Sequence, residues 1–211
     1  MEKFHCEMPT WDEICRLADV TAAKIKKSRW HPDVIVSIAR GGLVPARLLS
    51  DYLHVKDLIA IKTDHWGLTA TKDGQARVSY ALNMDLSGKR VLVVDDITDT
   101  GQSMELSKSH VLERNPKDVR TATLYHLRNS KYVPDYYGVE RDWAWMIFPW
   151  NAREDKVNII RKILSEEKVK KEKMDETLRS LMKKDFNVQV SKEEMAVLLE
   201  HIKYLDGLKK R

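Results

Sequence analysis

Residues 91–104 read VLVVDDITDTGQSM. The pattern predicts a strand that changes from aliphatic to acidic side chains, followed by a Thr-Gly turn that begins a helix. The turn offers backbone N–H groups and hydroxyls at a helix N-terminus, where the helix dipole favours a phosphate. The carboxylates of Asp95 and Asp96 stand beside it, able to accept hydrogen bonds from vicinal hydroxyls or to hold Mg²⁺, which prefers oxygen ligands. Because three aspartates at a buried strand end are costly without a partner, the segment favours a site for a phosphorylated sugar.

Apolar runs alternate with amphipathic helical patterns on both sides of this segment. VIVSIA at 34–39 is short and apolar on both faces, which is typical of a strand inside a parallel sheet. Further strands are predicted at 58–63, 119–126 and 143–150, and helices at 11–28, 43–53 and 101–113. The alternation predicts an α/β fold with a doubly wound parallel sheet, whose ligands collect beyond the carboxyl ends of the strands.

The last part of the chain differs in composition. Residues 165–211 hold 12 basic and 10 acidic residues, one glycine and no proline. We expect a charged C-terminal helical appendage here, following a domain over residues 1–164. Ser191 and Glu194 form a capping box ahead of an apolar face at 195–205. Because both signs of charge are interspersed, the pattern favours packing on the core or on a second subunit over nucleic-acid binding.

Composition narrows the class of protein. Of the 211 residues, 43% are hydrophobic and 33% charged, enough for one α/β domain with a small appendage. The net charge of +5 is compatible with binding of an anionic small molecule and with binding of nucleic acid, so it does not distinguish them. Two cysteines exclude a disulfide framework, and the histidines fall into no metal-ligand pattern. Without a membrane-length apolar run or a secretory signal pattern, we expect a cytoplasmic protein that does not bind membranes.

The segment at 91–104 resembles the signature by which type I phosphoribosyltransferases bind 5-phosphoribosyl-1-diphosphate (PRPP). That signature has four hydrophobic residues, two acids and a Thr-Gly phosphate loop. The resemblance implies the type I phosphoribosyltransferase fold, Mg²⁺ as cofactor, and Asp95 and Asp96 facing the ribose hydroxyls as the candidate metal ligands. It also places Asp99 near N7 of a purine as the catalytic general base or acid. The implied 5-phosphate loop comprises Thr98, Asp99, Thr100, Gly101, Gln102 and Ser103.

A second segment, SIARGGLVPARLL at 37–49, is similar to the diphosphate loop of the bacterial xanthine–guanine phosphoribosyltransferases. By this resemblance Arg40, Gly41 and Gly42 hold the diphosphate, and the peptide before the arginine is often cis. The residue types suit that role, because glycines let backbone amides approach an anion and a guanidinium can bind it with two hydrogen bonds.

A long loop is predicted at 64–79, which contains two glycines and few large aliphatic residues. Loops of this length in compact domains are usually functional or disordered. The resemblance implies a flexible loop here that closes over PRPP and excludes water. Lys62 and Arg77 are candidates for diphosphate contact, whereas Lys72 is better explained as solvated loop charge.

A third segment, WMIFPWN at 145–151, resembles the base-binding strand of the same enzymes. By this resemblance Trp145 and Met146 flank the purine, although an aromatic strand is as typical of a core. Asn151 stands where an acid often follows Pro-Trp, which leaves the preference at the 2-position of the base open.

A second departure from the family concerns the base as well. Leu127 stands where a lysine usually contacts the 6-oxo group of the purine. Arg128 or Lys131 would have to substitute for that lysine. A purine acceptor is therefore expected, with the particular purine left open.

These features lead to the hypothesis of a Mg²⁺-dependent purine salvage enzyme that uses PRPP and a 6-oxopurine and forms a homodimer or higher homo-oligomer. One alternative is a PRPP-sensing regulator without turnover, since the fold also serves in transcriptional control. A second alternative is a phosphoribosyltransferase for a non-purine acceptor. The sequence does not separate the second alternative from the main hypothesis.

Overall fold

The computed structural model of the protein describes residues 3–65, 76–167, 169 and 171–208. The chain forms two compact units. Asp12–Trp143 is called the sheet unit here, and Met1–Trp11 with Ala144–Arg211 is called the helical unit. The expected boundary between residues 164 and 165 falls inside the helical unit, so the division lies earlier in the chain. A separate role for residues 165–211 stays a prediction.

The described elements alternate between strand and helix over most of the chain. In chain order they are β1 (Cys6–Glu7), α1 (Trp11–Lys27), β2 (Val34–Ala39), α2 (Leu43–Tyr52), β3 (Asp57–His65), β4 (Ala76–Tyr80), β5 (Arg90–Thr98), α3 (Gln102–Leu112), β6 (Asp118–Leu127), β7 (Tyr136–Arg141), β8 (Trp145–Met146), α4 (Ala152–Glu166), α5 (Met174–Phe186) and α6 (Lys192–Leu208). Within the described residues no helix has the length and apolar character needed to cross a membrane.

A six-stranded sheet of the described residues, in the order β4-β3-β2-β5-β6-β7, forms the centre of the sheet unit. All neighbours are parallel except β3 and β4. Side chains alternate between the two faces along each strand. On one face Ile35 and Val94 pack with apolar residues of α1 and α2, and on the other Val36 and Val93 pack with α3. Helices therefore cover both faces, which confirms the predicted doubly wound α/β fold.

Two predicted elements were wrong in extent. The loop expected at 64–79 begins and ends in strand, because β3 continues to His65 and pairs antiparallel with β4. Both strands carry charged side chains, so their hydrophobic pattern is weak. The strand expected at 143–150 is only the two-residue β8, which pairs with β1 outside the main sheet. The edge strand β7 was not predicted, because its sequence YYGVER is too polar to indicate a strand.

The helical unit has an apolar core of its own. Helices α4, α5 and α6 contribute buried side chains to one cluster, among them Ile160, Phe186 and Met195. The predicted capping box is present in part, since the Ser191 hydroxyl accepts a hydrogen bond from the Glu194 N–H at 3.1 Å. The described residues after 165 thus contain the two helices α5 and α6, joined by a non-helical segment at 187–191, and a mainly helical segment is what the sequence predicts.

Candidate active site

The loops that follow β2 and β5 leave the sheet at the same edge. The two strands are parallel neighbours, with Val34 opposite Val91 and Ser37 opposite Val94. From β2 the chain continues to β3 on one side, and from β5 it continues to β6 on the other. Such a divergence in an open α/β sheet creates a crevice beyond the strand ends, where ligands bind. The residues predicted to bind diphosphate follow β2, and Asp95 and Asp96, which are predicted to face the ribose, lie near the carboxyl end of β5.

Gly41 and Gly42 let the two segments approach closely. A Cβ atom on Gly41 would lie 2.3 Å from Oδ2 of Asp96, and one on Gly42 would lie 2.4 Å from the Val94 carbonyl oxygen. Side chains at either position would collide with the end of β5. The Ala39–Arg40 peptide is cis, as the resemblance implies. The structure therefore brings the predicted diphosphate loop against the acidic end of β5.

Asp95 and Asp96 are adjacent carboxyls at that end. Asp96 is 9% exposed, and Oδ1 of the half-buried Asp95 accepts a hydrogen bond from the Asp96 N–H at 3.0 Å. Burial, and then the charge of Asp96, raises the pKa of the Asp95 carboxyl, while hydrogen bonds from the backbone N–H groups of Asp96 and Gly42 oppose the rise. Two carboxyls this close are stabilised by a cation or by hydroxyl donors.

The donor set of this pair fits Mg²⁺. In proteins Mg²⁺ is commonly held by one or two carboxylates together with substrate phosphates and water. Nowhere in the described part of the chain do three or more His, Cys, Asp or Glu side chains form a group that could hold a metal. A cation at Asp95 and Asp96 would therefore depend on further ligands from substrate and water.

The predicted phosphate loop connects β5 to α3. Gly101 has a φ of 86°, in the left-handed region that favours glycine, and a Cβ atom on it would lie 2.3 Å from Cβ of Tyr132. The Thr100 hydroxyl accepts a hydrogen bond from the Gln102 N–H at 3.4 Å, and Ser103 is half-buried in the first turn. The first N–H groups of α3 and two hydroxyl side chains thus belong to one helix N-terminus, which suits a phosphate.

Thr98, the first residue of that predicted loop, is buried. Thr98 and His126 are 2% and 3% exposed, and the Thr98 Oγ1 lies 2.9 Å from Nδ1 of His126. Burial lowers the pKa of His126 more than the charge of Glu140 raises it. The Thr98 hydroxyl is therefore engaged inside the protein.

Asp99, the predicted acid–base residue, follows directly and is exposed. Partial burial of its carboxyl raises its pKa, and a hydrogen bond from the Trp143 side chain opposes the rise. Trp143 is itself 48% exposed. A carboxylate whose pKa is raised is a stronger base than an ordinary aspartate, which suits proton transfer.

The other predicted anion ligands belong to β3, β4 and the segment between them. Lys62 Nζ lies 5.6 Å from the centroid of the Tyr80 ring. Arg77 is opposite Asp64 in the β3–β4 register. The side chain of Arg77 and the whole of Lys72 lie outside the described residues, so their roles stay predictions.

Leu127, Arg128 and Lys131 lie at or near the end of β6, where the resemblance leads one to expect a lysine that contacts the base. Leu127 is 1% exposed and belongs to the core, so its side chain is withdrawn from any ligand. Arg128 forms ion pairs with Glu140, at 2.9 Å, and with Asp142. Lys131 is exposed. Arg128 is thus a cation held in place by two carboxylates.

The predicted base-binding residues belong to the helical unit. Trp145 packs against Phe4 with ring centroids 5.9 Å apart, and Met146 is buried. Asn151 precedes α4, and its Oδ1 is buried with no hydrogen-bond partner in the part of the chain that the structure describes. Their role in base binding stays a prediction.

Sequence reasoning missed two residues that contact the predicted phosphate loop. His126 carried a usable signal, since it is a titratable residue at the carboxyl end of the strand predicted at 119–126. Tyr132 carried none, because its approach to Gly101 depends on the path of the loop after β6.

Comparison with known proteins adds to this geometry. Residues 10–158 match the Phosphoribosyl transferase domain family. The xanthine-guanine phosphoribosyltransferase of Cereibacter sphaeroides is 31% identical over 153 residues, covering 67% of this chain and 84% of the relative. That of a Ruegeria species is 30% identical over 152 residues, covering 67% and 83%. The crystal structure of a purine phosphoribosyltransferase from Pyrococcus horikoshii aligns with a TM-score of 0.60 and 32% identity, covering 71% of this chain and 94% of the other.

Proposed function

The chain belongs to the phosphoribosyl transferase family of enzymes, and we propose that it transfers the 5-phosphoribosyl group of PRPP to N9 of a 6-oxopurine, with Mg²⁺ as cofactor. In this reaction the bond from C1 of the ribose to a diphosphate oxygen breaks, and the bond from C1 to N9 forms with inversion. The base loses one proton. The products are a nucleoside monophosphate and diphosphate, as purine salvage requires.

One observation carries this proposal: the loop Arg40–Gly41–Gly42 lies against the Asp96 carboxylate where β2 and β5 diverge. A site for PRPP needs anion-binding groups beside groups that accept hydrogen bonds from sugar hydroxyls. A Cβ atom on residue 41 would lie only 2.3 Å from Oδ2 of Asp96, so the two residues approach each other closely. This approach supports the assignment of Gly41 and Asp96 to one substrate.

Catalysis by these residues is mainly electrostatic. The Arg40 guanidinium stabilises the negative charge that grows on the leaving diphosphate. Asp95 and Asp96 face a ribose whose C1 gains positive charge, and the N-terminus of α3 holds the 5-phosphate. Mg²⁺, when held by the two aspartates together with PRPP, supplies positive charge that neutralises the diphosphate.

The base is bound and deprotonated by a separate set of residues. Asp99 accepts the proton at N7, consistent with its raised pKa. Arg128, oriented by its two carboxylate partners, is the candidate donor to the 6-oxo group in place of the missing lysine. Trp145, Met146 and Asn151 are the candidates for contact with the purine ring. The names of the relatives, which are xanthine-guanine and purine enzymes, support a 6-oxopurine.

The setting of the enzyme is part of the same proposal. A cytoplasmic location suits a chain that uses PRPP and free bases. A homodimer or higher homo-oligomer is proposed from the family resemblance alone.

The test is diphosphate release from PRPP and Mg²⁺ with hypoxanthine, guanine, xanthine, adenine or uracil offered separately. Turnover confined to 6-oxopurines, and its loss when Mg²⁺ is chelated, is the expected result. Turnover only with adenine or with uracil would show that this base, and not a 6-oxopurine, is the acceptor. PRPP binding without turnover on any base would favour the PRPP-sensing regulator instead.

A further inference from the structure

We propose that His126 is a positioning residue for PRPP: through its hydrogen bond to Thr98 it fixes where the phosphate loop begins. The Thr98 hydroxyl is then an internal anchor of the loop and not a ligand of the phosphate. The inference rests on the proposed function, because it concerns binding of the same substrate.

The two side chains meet where their strands end. Thr98 is the last residue of β5, and His126 is the residue before the last of β6. They are paired in the β5–β6 register, and the Thr98 Oγ1 lies 2.9 Å from Nδ1 of His126. Both residues are almost fully buried. The contact therefore joins two neighbouring strands at the edge of the sheet that carries the site.

Because both side chains are buried, this hydrogen bond favours a single pair of rotamers for Thr98 and His126. A buried hydroxyl or imidazole nitrogen without a partner is destabilising, so rotamers that separate the pair are disfavoured. Threonine is also restricted about χ1, because two heavy atoms branch from its Cβ. Fixing the Thr98 hydroxyl consequently fixes the backbone from which Asp99 and Thr100 continue.

The histidine is itself held. Its ring lies 5.1 Å from the ring of Tyr137 on β7, and Lys24 Nζ of α1 lies 4.6 Å from the centroid of that tyrosine. The anchor thus links the phosphate loop to β7 and α1, two elements that carry no predicted ligand of PRPP. A positioning role follows, because His126 is too deeply buried to touch substrate.

The phosphate loop then contains two kinds of hydroxyl side chain, an internal anchor and ligands of the phosphate. Thr100 and Ser103, in the turn and the first turn of α3, are the hydroxyls proposed to contact the phosphate. Removing Thr98 or His126 should disturb one common element, the start of the loop. Their effects on PRPP binding should therefore be non-additive, whereas the effect of Ser103→Ala should add to either.

The experiment measures PRPP affinity by calorimetry with Mg²⁺ and no base, together with kcat and KM for a base that the wild type accepts. His126→Ala and Thr98→Val should each raise the Kd for PRPP about tenfold with a smaller change in kcat. Their combination should weaken binding no more than either alone. His126→Asn, whose amide can reach the position of Nδ1, should restore binding to within about threefold of the wild type.

Controls keep the result interpretable. His31→Ala removes an exposed histidine of the same unit and should leave the Kd unchanged. If His126→Ala unfolds, the Thr98→Val and His126→Asn variants still give the comparison. Wild-type affinity in Thr98→Val, or independent additive losses, would overturn the positioning role while leaving the proposed function intact. Absence of PRPP binding by the wild-type protein would overturn both.

Discussion

Gly41 is the residue at which the two halves of the proposed PRPP site touch. A methyl group on Gly41 would lie within 2.8 Å of three atoms of the Asp96 carboxyl group. We expect Gly41→Ala to move this carboxylate or the Arg40 loop, and to weaken PRPP binding on the order of 10- to 100-fold. Calorimetric titration with PRPP and Mg²⁺ measures the effect. Gly207→Ala is the matched control, because nothing lies within 4 Å of the added atom and binding should not change.

At Asp99 we expect a substitution to lower the catalytic rate without weakening PRPP binding. Asp99→Asn keeps the shape of the side chain and removes the group that accepts the proton. We expect kcat to fall on the order of 100-fold while the Kd for PRPP changes little. Steady-state kinetics and direct titration of the same sample give the two numbers. Equal losses in both would show that Asp99 binds PRPP and does not transfer the proton.

The position of some candidate site residues in the fold could be predicted where a local motif specifies it, while their roles stay predictions. Asp95, Asp96, Gly41 and Gly101 lie in two short segments, where an aliphatic run followed by acids or glycines indicates the end of a buried strand and the turn after it. The contact of Tyr132 with Gly101 depends on residues distant in sequence, and the sequence carries no signal for it.

The same distinction holds for helices and strands. β2 and β5 were predicted nearly to their ends, because burial on both faces gives each of them a run of aliphatic residues. β7 lies at an edge of the sheet, where polar side chains are tolerated and the pattern disappears. The β1–β8 pair was missed since each strand has two residues and the partners come from opposite ends of the chain.

Helix α4 contains a buried acid whose titration should be measurable. Asp155 is 6% exposed, and burial raises the pKa of its carboxyl to about 6. A hydrogen bond from the Trp145 side chain partly offsets this rise. The folded-state pKa exceeds the unfolded value of about 4, so folding favours the protonated form. The ionised group therefore opposes folding progressively as pH rises from about 4 to about 6, and fully above that range.

Asp155→Asn removes this effect. We expect the variant to be more stable than the wild type by about 1–3 kcal/mol at pH 7.5, and the difference to shrink toward pH 4.5. Urea unfolding at both pH values measures it. Glu176→Gln, an exposed acid on α5, should show no such change. A gain that is the same at both pH values would mean that burial of the Asp155 charge is not the cause.

At the scale of the whole molecule, the appendage recognised by its composition is part of a larger core. α4 begins at Ala152, ahead of residue 165, and its buried Ile159, Ile160 and Ile163 belong to the same apolar cluster as Leu178 of α5 and Leu198 of α6. Phe4, from the amino-terminal segment, packs against this cluster. Composition located the change in charge density correctly, but packing places the division of the chain before α4.

A chain ending at residue 164 should consequently be unstable. Removing α5 and α6 exposes the apolar face of α4, and each large aliphatic side chain fully exposed costs about 1.5–3 kcal/mol. We expect a lower melting temperature, binding of a hydrophobic dye and aggregation on concentration. Val197→Ser, at a 47% exposed position of α6, is the control for a change on that helix without loss of the core. A truncated chain as stable as the full one would show that residues 165–211 are an independent appendage after all.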